Sequence, residues 1–341
     1  MGVLALADST AAQAAARDGG DYVAPRTVWG HPDLQGNWRN ATLTPLERPR
    51  GQGPTLTEAQ VAEMEGALRA RFAEDASPSD PNRAAPPVGG DGSTGAAGGV
   101  GGYNTIYIDP GERVARVNGE YRSSLITNPP DGRIPELTDE ARQQLMAARQ
   151  SRGSFGIYDN PENRPIGERC ILSFGSNAGP PMLPNGFYNN NYTIVQNEDH
   201  ILILVEMVHD VRIIRLWDGE ELPESMRPWF GDSWGHWEGE TLVVETTNIH
   251  PSQGFRGSPA EGARVVERFR RADENTVVYE FTVHDPAYTL PWGGEVPMNR
   301  MDEQLYEYAC HEGNYALSNV LSGARAEERR EAEAADPEDR R

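Results

Sequence analysis

The second half of the chain carries short runs in which apolar and polar residues alternate with a period of two. In Thr276 to His284, Val277, Tyr279, Phe281 and Val283 fall on one side while Glu280, Thr282 and His284 fall on the other. That spacing predicts a strand with one buried and one wet face. Further strands are expected at Tyr192 to Gln196, Ile201 to Met207, Val211 to Trp217, Thr241 to Ile249, Arg264 to Arg271 and Leu305 to Cys310. The turn signals between them include Trp217-Asp-Gly219, Glu238-Gly239 and Asp273-Glu-Asn275. No strand–helix–strand rhythm favours a parallel sheet, so the pattern predicts an antiparallel meander closed into a barrel or sandwich.

The first half is less regular. Leu34-Gln-Gly-Asn-Trp38 opens a first strand. Thr57 with Gln60 forms a capping-box pattern, and Val61, Met64, Leu68 and Phe72 recur at three and four residues, predicting a helix of about 15 residues against the sheet. Strands are expected at Tyr103 to Asp109 and Glu120 to Thr127, and Thr138 caps a second helix with Ala141, Leu145 and Met146 on its apolar side. Residues 76–102 are Gly- and Pro-rich, with too few apolar side chains to offset their ordering entropy, and predict a flexible loop. Residues 151–190 are loop-like, and a loop that long in a folded domain commonly lines a site.

The ends frame one domain. Met1 to Ala16 is Ala-rich with several Ala-x-Ala sites, reading as a remnant signal peptide or a disordered tail within 1–25. Residues 26–325 then form a single decorated β domain, and 326–341 a charged tail, helical or disordered. The balance of 52 acidic against 31 basic residues gives a formal charge of -21, which repels phosphate backbones and disfavours nucleic acid as a partner. The longest strongly apolar run is Ile201 to Val205, far short of a membrane helix. Cys170 and Cys310 are an even pair compatible with one long-range disulfide or with two buried thiols, and neither lies in a Cys-x-x-Cys motif.

Two resemblances follow from these segments. Trp237-Glu-Gly-Glu-Thr-Leu-Val-Val244, Arg264-Val-Val-Glu-Arg-Phe269 and Asn275-Thr-Val-Val-Tyr-Glu-Phe281, with Gly36-Asn37-Trp38 as a first strand, resemble the meander of lipocalin-like (calycin) barrels. The resemblance implies a mainly β fold, an antiparallel barrel with two accessory helices and long loops. From about residue 33 to 325 the chain also resembles an uncharacterised family of exported bacterial proteins. That likeness is carried by Asp33-Leu-Gln-Gly-Asn-Trp38, Asn128-Pro-Pro-Asp-Gly-Arg-Ile-Pro135, Glu168-Arg-Cys170, Gly179-Pro-Pro-Met182, Asn189-Asn-Asn-Tyr192, Glu206-Met-Val-His-Asp210 and Tyr308-Ala-Cys-His-Glu-Gly-Asn-Tyr315. It implies a periplasmic or secreted protein with a shared site.

Three constellations could carry chemistry. Glu206, His209, Asp210 and Arg212 interrupt an apolar strand pair. In a continuous strand Glu206, Asp210 and Arg212 share parity with Leu202 and Leu204, whereas in a hairpin turn they are solvated. His311 and Glu312 follow Cys310, where the imidazole serves as a general base near neutral pH or as a turn residue. Asn189-Asn-Asn191-Tyr192 and the cluster Trp229, Phe230, Asp232, Trp234, His236 and Trp237 supply amides, a carboxylate and rings suited to a small aromatic or sugar-like ligand, or else plug a barrel end. No His-Glu-x-x-His or Gly-x-Ser-x-Gly motif occurs.

The leading expectation is a cofactor-independent lyase, isomerase or hydratase working on an apolar or aromatic small molecule. Glu206, His209, Asp210 and His311 would serve proton transfer, Arg212 anion stabilisation, and Asn191, Tyr192, Trp234, His236, Glu312 and Tyr315 substrate contact. No metal ligand set and no organic cofactor is assigned. The alternatives are a non-catalytic carrier of a hydrophobic ligand and a carbohydrate-active enzyme using paired carboxylates such as Glu206 and Glu245. The oligomeric state is not legible in the sequence.

Overall fold

Val265, Glu267, Phe269 and Arg271 alternate with Val266, Arg268 and Arg270, and only the first set is buried throughout. The same alternation repeats in strand after strand, and the buried sets face one shared interior. The computed structural model describes residues 22–78, 82, 84, 109–153, 156–172, 179–183, 189–216, 219–253 and 261–335. Residues 1–21 of the expected N-terminal remnant, the strand at Tyr103 to Asp109 (except Asp109) and most of the flexible loop at 76–102 lie outside the described residues.

In chain order the elements begin with β1 (Gly36–Arg39), α1 (Glu58–Asp75), β2 (Arg116–Val117), β3 (Glu120–Tyr121), β4 (Ile126–Asn128) and α2 (Asp139–Gly153). There follow β5 (Asn191–Gln196), β6 (His200–Val205), β7 (Val211–Arg215), β8 (Asp232–Glu238), β9 (Thr241–Thr247), β10 (Arg264–Arg271), β11 (Thr276–His284), β12 (Trp292–Met301) and α3 (Tyr315–Ala335). The protein is mainly β. β1 and β5 to β12 form a closed nine-stranded barrel, sealed where Asn37, Trp38 and Arg39 of β1 pair with Met301, Arg300 and Asn299 of β12. β4 adds to β12, and β2 pairs only with β3.

The barrel is mixed rather than purely antiparallel. β7 and β8 run parallel, in register at Ile214 with Ser233 and Arg215 with Trp234. The segment from Leu216 to Gly231 must therefore return the chain to the end of the barrel where β7 began. The chain pattern pointed elsewhere because β8 itself is cryptic. Its inward residues are Ser233, Gly235 and Trp237, and its outward ones include Trp234, so no apolar alternation marks it.

β12 is hidden for a different reason. Gly293 and Gly294 interrupt any apolar alternation, and a Cβ there would run into the backbone oxygens of Phe281 and Leu125, so two glycines let the neighbouring strands close up. Pro297 is tolerated in this strand because its missing N–H falls on the side where β4 pairing has ended and β1 pairing has not begun.

Three further expectations change. Leu305 to Cys310 is not a strand but part of an extended strap after β12. A third helix, α3, starts at Tyr315, well before the charged tail, and none of its residues is buried. α1 forms behind the expected Thr57/Gln60 capping box, but of its apolar stripe only Val61 is buried and Phe72 is exposed, so the helix does not lie along the sheet. Cys170 and Cys310 form a disulfide, which joins the strap to the loop before β5.

Candidate functional site

The turn between β6 and β7 decides which face of β7 looks inward. A short 3-10 turn at Met207–His209, with Val208 and His209 at positive φ, breaks the strand, so Glu206 and Arg212 do not continue the parity of Leu202 and Leu204. Leu202 and Leu204 face out, whereas Arg212, opposite Ile203, faces in. Arg212 is 1% exposed in the barrel interior.

An uncompensated buried guanidinium would be prohibitive, and three strands supply its partners. Glu267 of β10, fully buried, takes two hydrogen bonds from Arg212, one of them from Nη1 at 2.9 Å and the other from Nη2. Nη2 also donates to Thr246 Oγ1 of β9 at 2.8 Å, and Nε donates to Ser233 Oγ of β8 at 3.2 Å. Tyr279 of β11 donates its O–H to Glu267 Oε1 at 2.8 Å. Burial opposes the Arg212 cation, but the charge and hydrogen bonds of Glu267 outweigh it and hold the guanidinium above its usual range. Burial and the neighbouring Glu267 carboxylate push the Tyr279 phenol well above its usual range, against the Met182 N–H and Arg212. Tyr279 therefore stays protonated at neutral pH.

The segment Gly179–Leu183 plugs the barrel over this network. Met182 donates its backbone N–H to Tyr279 Oη at 2.9 Å, and its carbonyl accepts from Asn40 Nδ2 at 3.2 Å. Gln253 donates to the Gly179 carbonyl at 2.9 Å. Asn40 Nδ2 also donates to the Tyr192 hydroxyl at 3.3 Å, and Asn40 Oδ1 accepts from Asn190 Nδ2 at 3.1 Å, joining a second buried polar group to the same plug. Burial raises the Tyr192 phenol above its usual range, with Asn40 opposing. Four of the five Arg212 N–H groups are used within the network. A Cβ on Gly179 would fall 3.1 Å from Arg212 Nη1, so the glycine lets the plug backbone approach that atom.

The other expected residues are dispersed. Glu206, 5% exposed, accepts from Asn191 Nδ2 at 2.7 Å and from the Tyr306 backbone N–H of the strap at 3.0 Å. His209 is exposed and donates Nδ1–H to the Tyr308 carbonyl at 2.8 Å. Asp210 is half-buried, and burial lifts its carboxyl above the usual range against the opposing charge of His209. Tyr192 is in the interior, whereas Trp234 lies on the outer face of β8 beneath the Arg215 guanidinium, 3.9 Å from its ring. His236 is exposed beside Glu238, and His311, Glu312 and Tyr315 are exposed beyond the strap. Glu245 is exposed on the outer face of β9 with Arg264, away from the Glu206 turn, so the two carboxylates do not face a shared substrate. Among the described residues no three His, Cys, Asp or Glu side chains converge on a metal position.

Of the expected set, the structure places Arg212 and Tyr192 in polar networks bonded to the plug. Glu267, Tyr279, Thr246, Ser233, Asn40 and Gln253 were not singled out by motif. Glu267 had a readable signal, a carboxylate at the same parity as Val265 and Phe269. Ser233 and Asn40 had none, because a short polar residue looks alike on either face. No known family model, curated protein or solved structure matches this chain.

Proposed function

We propose that the chain is an exported enzyme on a lipocalin-like barrel, performing acid–base lyase, isomerase or hydratase chemistry on a small apolar or aromatic molecule. The observation that carries this reading is Tyr279, whose hydroxyl is shared between the buried Glu267 carboxylate and the backbone of the plug. Buried clusters of coupled ionisable groups are concentrated at functional sites. When the plug gives way to substrate, a substrate oxygen takes the position of Met182 and the Tyr279 O–H turns from Glu267 to that oxygen. Tyr279, kept protonated until then, acts as hydrogen-bond donor or general acid to that oxygen, Glu267 stays paired with Arg212, and Arg212 stabilises developing negative charge. The upper interior supplies an apolar wall of Phe281, Trp292 and Tyr288, with ring centroids 5.7 and 5.9 Å apart in succession.

The carrier reading is favoured by one observation of its own. The indole N–H of Trp292 is buried with no hydrogen-bond partner among the described residues, a position where an acceptor on a bound ligand would satisfy it. Native mass spectrometry of protein taken from the exported fraction tests both readings. An apolar or aromatic molecule is expected to co-purify. Deuterium should then enter its activated C–H positions in D2O with the wild-type protein and not with Tyr279→Phe. Binding with no exchange in either protein selects the carrier, and neither binding nor exchange overturns both.

A further inference from the structure

We propose that β7 is a strand-addition site for an extended, apolar and basic peptide segment of a partner protein. β7 pairs with β6 along its whole length, from Val211 to Arg215, but its register with β8 is confined to Ile214 and Arg215. The Val205 N–H bonds to the Asp210 carbonyl, so the even-numbered residues turn their backbone groups to β6. Val211 and Ile213 turn theirs to the other side; the parallel pairing at Ile214 takes the Ile213 carbonyl, and the Val211 N–H and carbonyl and the Ile213 N–H fall before β8 begins. Among the described residues no strand pairs with that stretch of edge.

The side chains on that edge are apolar and exposed. Val211 is 42% and Ile213 55% exposed on the outside of the barrel. Cross-strand register sets Leu204 beside Val211, Leu202 beside Ile213, and Val195, 47% exposed, beside Leu202. Five apolar side chains thus form one continuous outer patch next to unpaired strand backbone. Proteins commonly guard such edges with charge or proline, and here neither occupies β7 before Arg215 on the outward face.

Charge selects the occupant. Leu222 donates its N–H to Asp232 at the start of β8 and its carbonyl accepts from Asn248, so the segment carrying exposed Glu220, Glu221 and Glu224 is held beside the opening. Asp210 stands at the head of β7. Arg215, at the end of β7, is paired with Asp232 and stacked on Trp234, so it does not offset those glutamates. A segment that alternates Val or Ile with Lys would add main-chain bonds to β7, lay its apolar side chains on the patch and meet the carboxylates. A second copy of this chain, itself carrying -21, is the less favoured occupant on charge.

The probe is the synthetic peptide acetyl-Lys-Val-Thr-Val-Lys-Val-Thr-amide, titrated into isotopically labelled full-length protein. The expected result is chemical-shift change and slowed hydrogen exchange at the Val211 and Ile213 amides. Affinity should fall about tenfold or more with Ile213→Lys, or when Glu replaces Lys in the peptide, and should weaken with salt. Because Ile213 is exposed, the variant should keep the wild-type melting temperature, separating lost binding from lost folding. Equal binding of the two peptides, or shifts that leave the β7 amides untouched, would overturn the proposal. So would a dimer in sedimentation whose interface protects the same amides without peptide.

Discussion

Glu206 Oε1 lies 3.0 Å from the backbone nitrogen of Tyr306, a bond across 100 residues of sequence that ties the β6–β7 turn to the strap. The second carboxylate oxygen is taken by Asn191, so both are occupied within the fold. Glu206 thus holds two segments together rather than presenting a free base.

Replacing Glu206 by alanine leaves the Tyr306 N–H and Asn191 amide without their buried acceptor, which costs about 1–3 kcal/mol. Amide exchange at Tyr306 should accelerate while exchange in the β9–β11 region stays near wild type. Unchanged protection at Tyr306 would show that the strap is held from elsewhere.

Arg212 and Glu267 are each neutralised only while the other is present. Arg212→Met or Glu267→Leu alone should lower stability by about 3–5 kcal/mol, and the double variant should be markedly more stable than either single one. Denaturant melts of the four proteins give the coupling directly. Additive losses would mean that the pair is replaceable by water.

The Cys170–Cys310 disulfide spans 140 residues, and on the chain-entropy model it removes about 5 kcal/mol of unfolded-state freedom. Cys170→Ser with Cys310→Ser should lower the melting temperature. Limited proteolysis should then cut within 302–314, where Glu206 and His209 hold the strap backbone by single bonds.

Glu280 faces Glu295 across the outer surface of β11 and β12, and burial first, then that like charge, raises its carboxyl above the ordinary 4.5. A raised carboxyl favours the folded state when protonated, so its contribution is full below the unfolded value and is lost as pH rises through the folded one. Glu280→Gln should therefore melt above wild type at neutral pH, with the advantage shrinking on acidification through the carboxylate range. An advantage independent of pH would point to packing instead.

The meander β9 to β11 was legible because one inward apolar set alternates with one outward polar set, as Val277 to Val283 does. β8 and β12 were not, since glycine, serine and proline there answer to neighbouring strands rather than to a two-residue rhythm. The site divided similarly. Arg212 stood out as a charge in an apolar strand pair, but its partners lie on three other strands, and only barrel closure reveals that Glu267 meets it and Tyr279 meets Glu267. His209 and His311 were conspicuous as residue types, yet a turn and a strap place them in solvent.

β1 is flanked by β5 on one side and by β12 on the other, where Asn37 meets Met301. Until residue 301 has left the ribosome, β1 lacks its second neighbour and the wall is incomplete around Trp38, Leu34 and the interior ion pair. β1 must wait, unsealed, until β12 has been made. Closure is then a late, long-range event of the kind that slows folding, and a holding factor that shields the open seam during that interval would raise the yield of intact barrel.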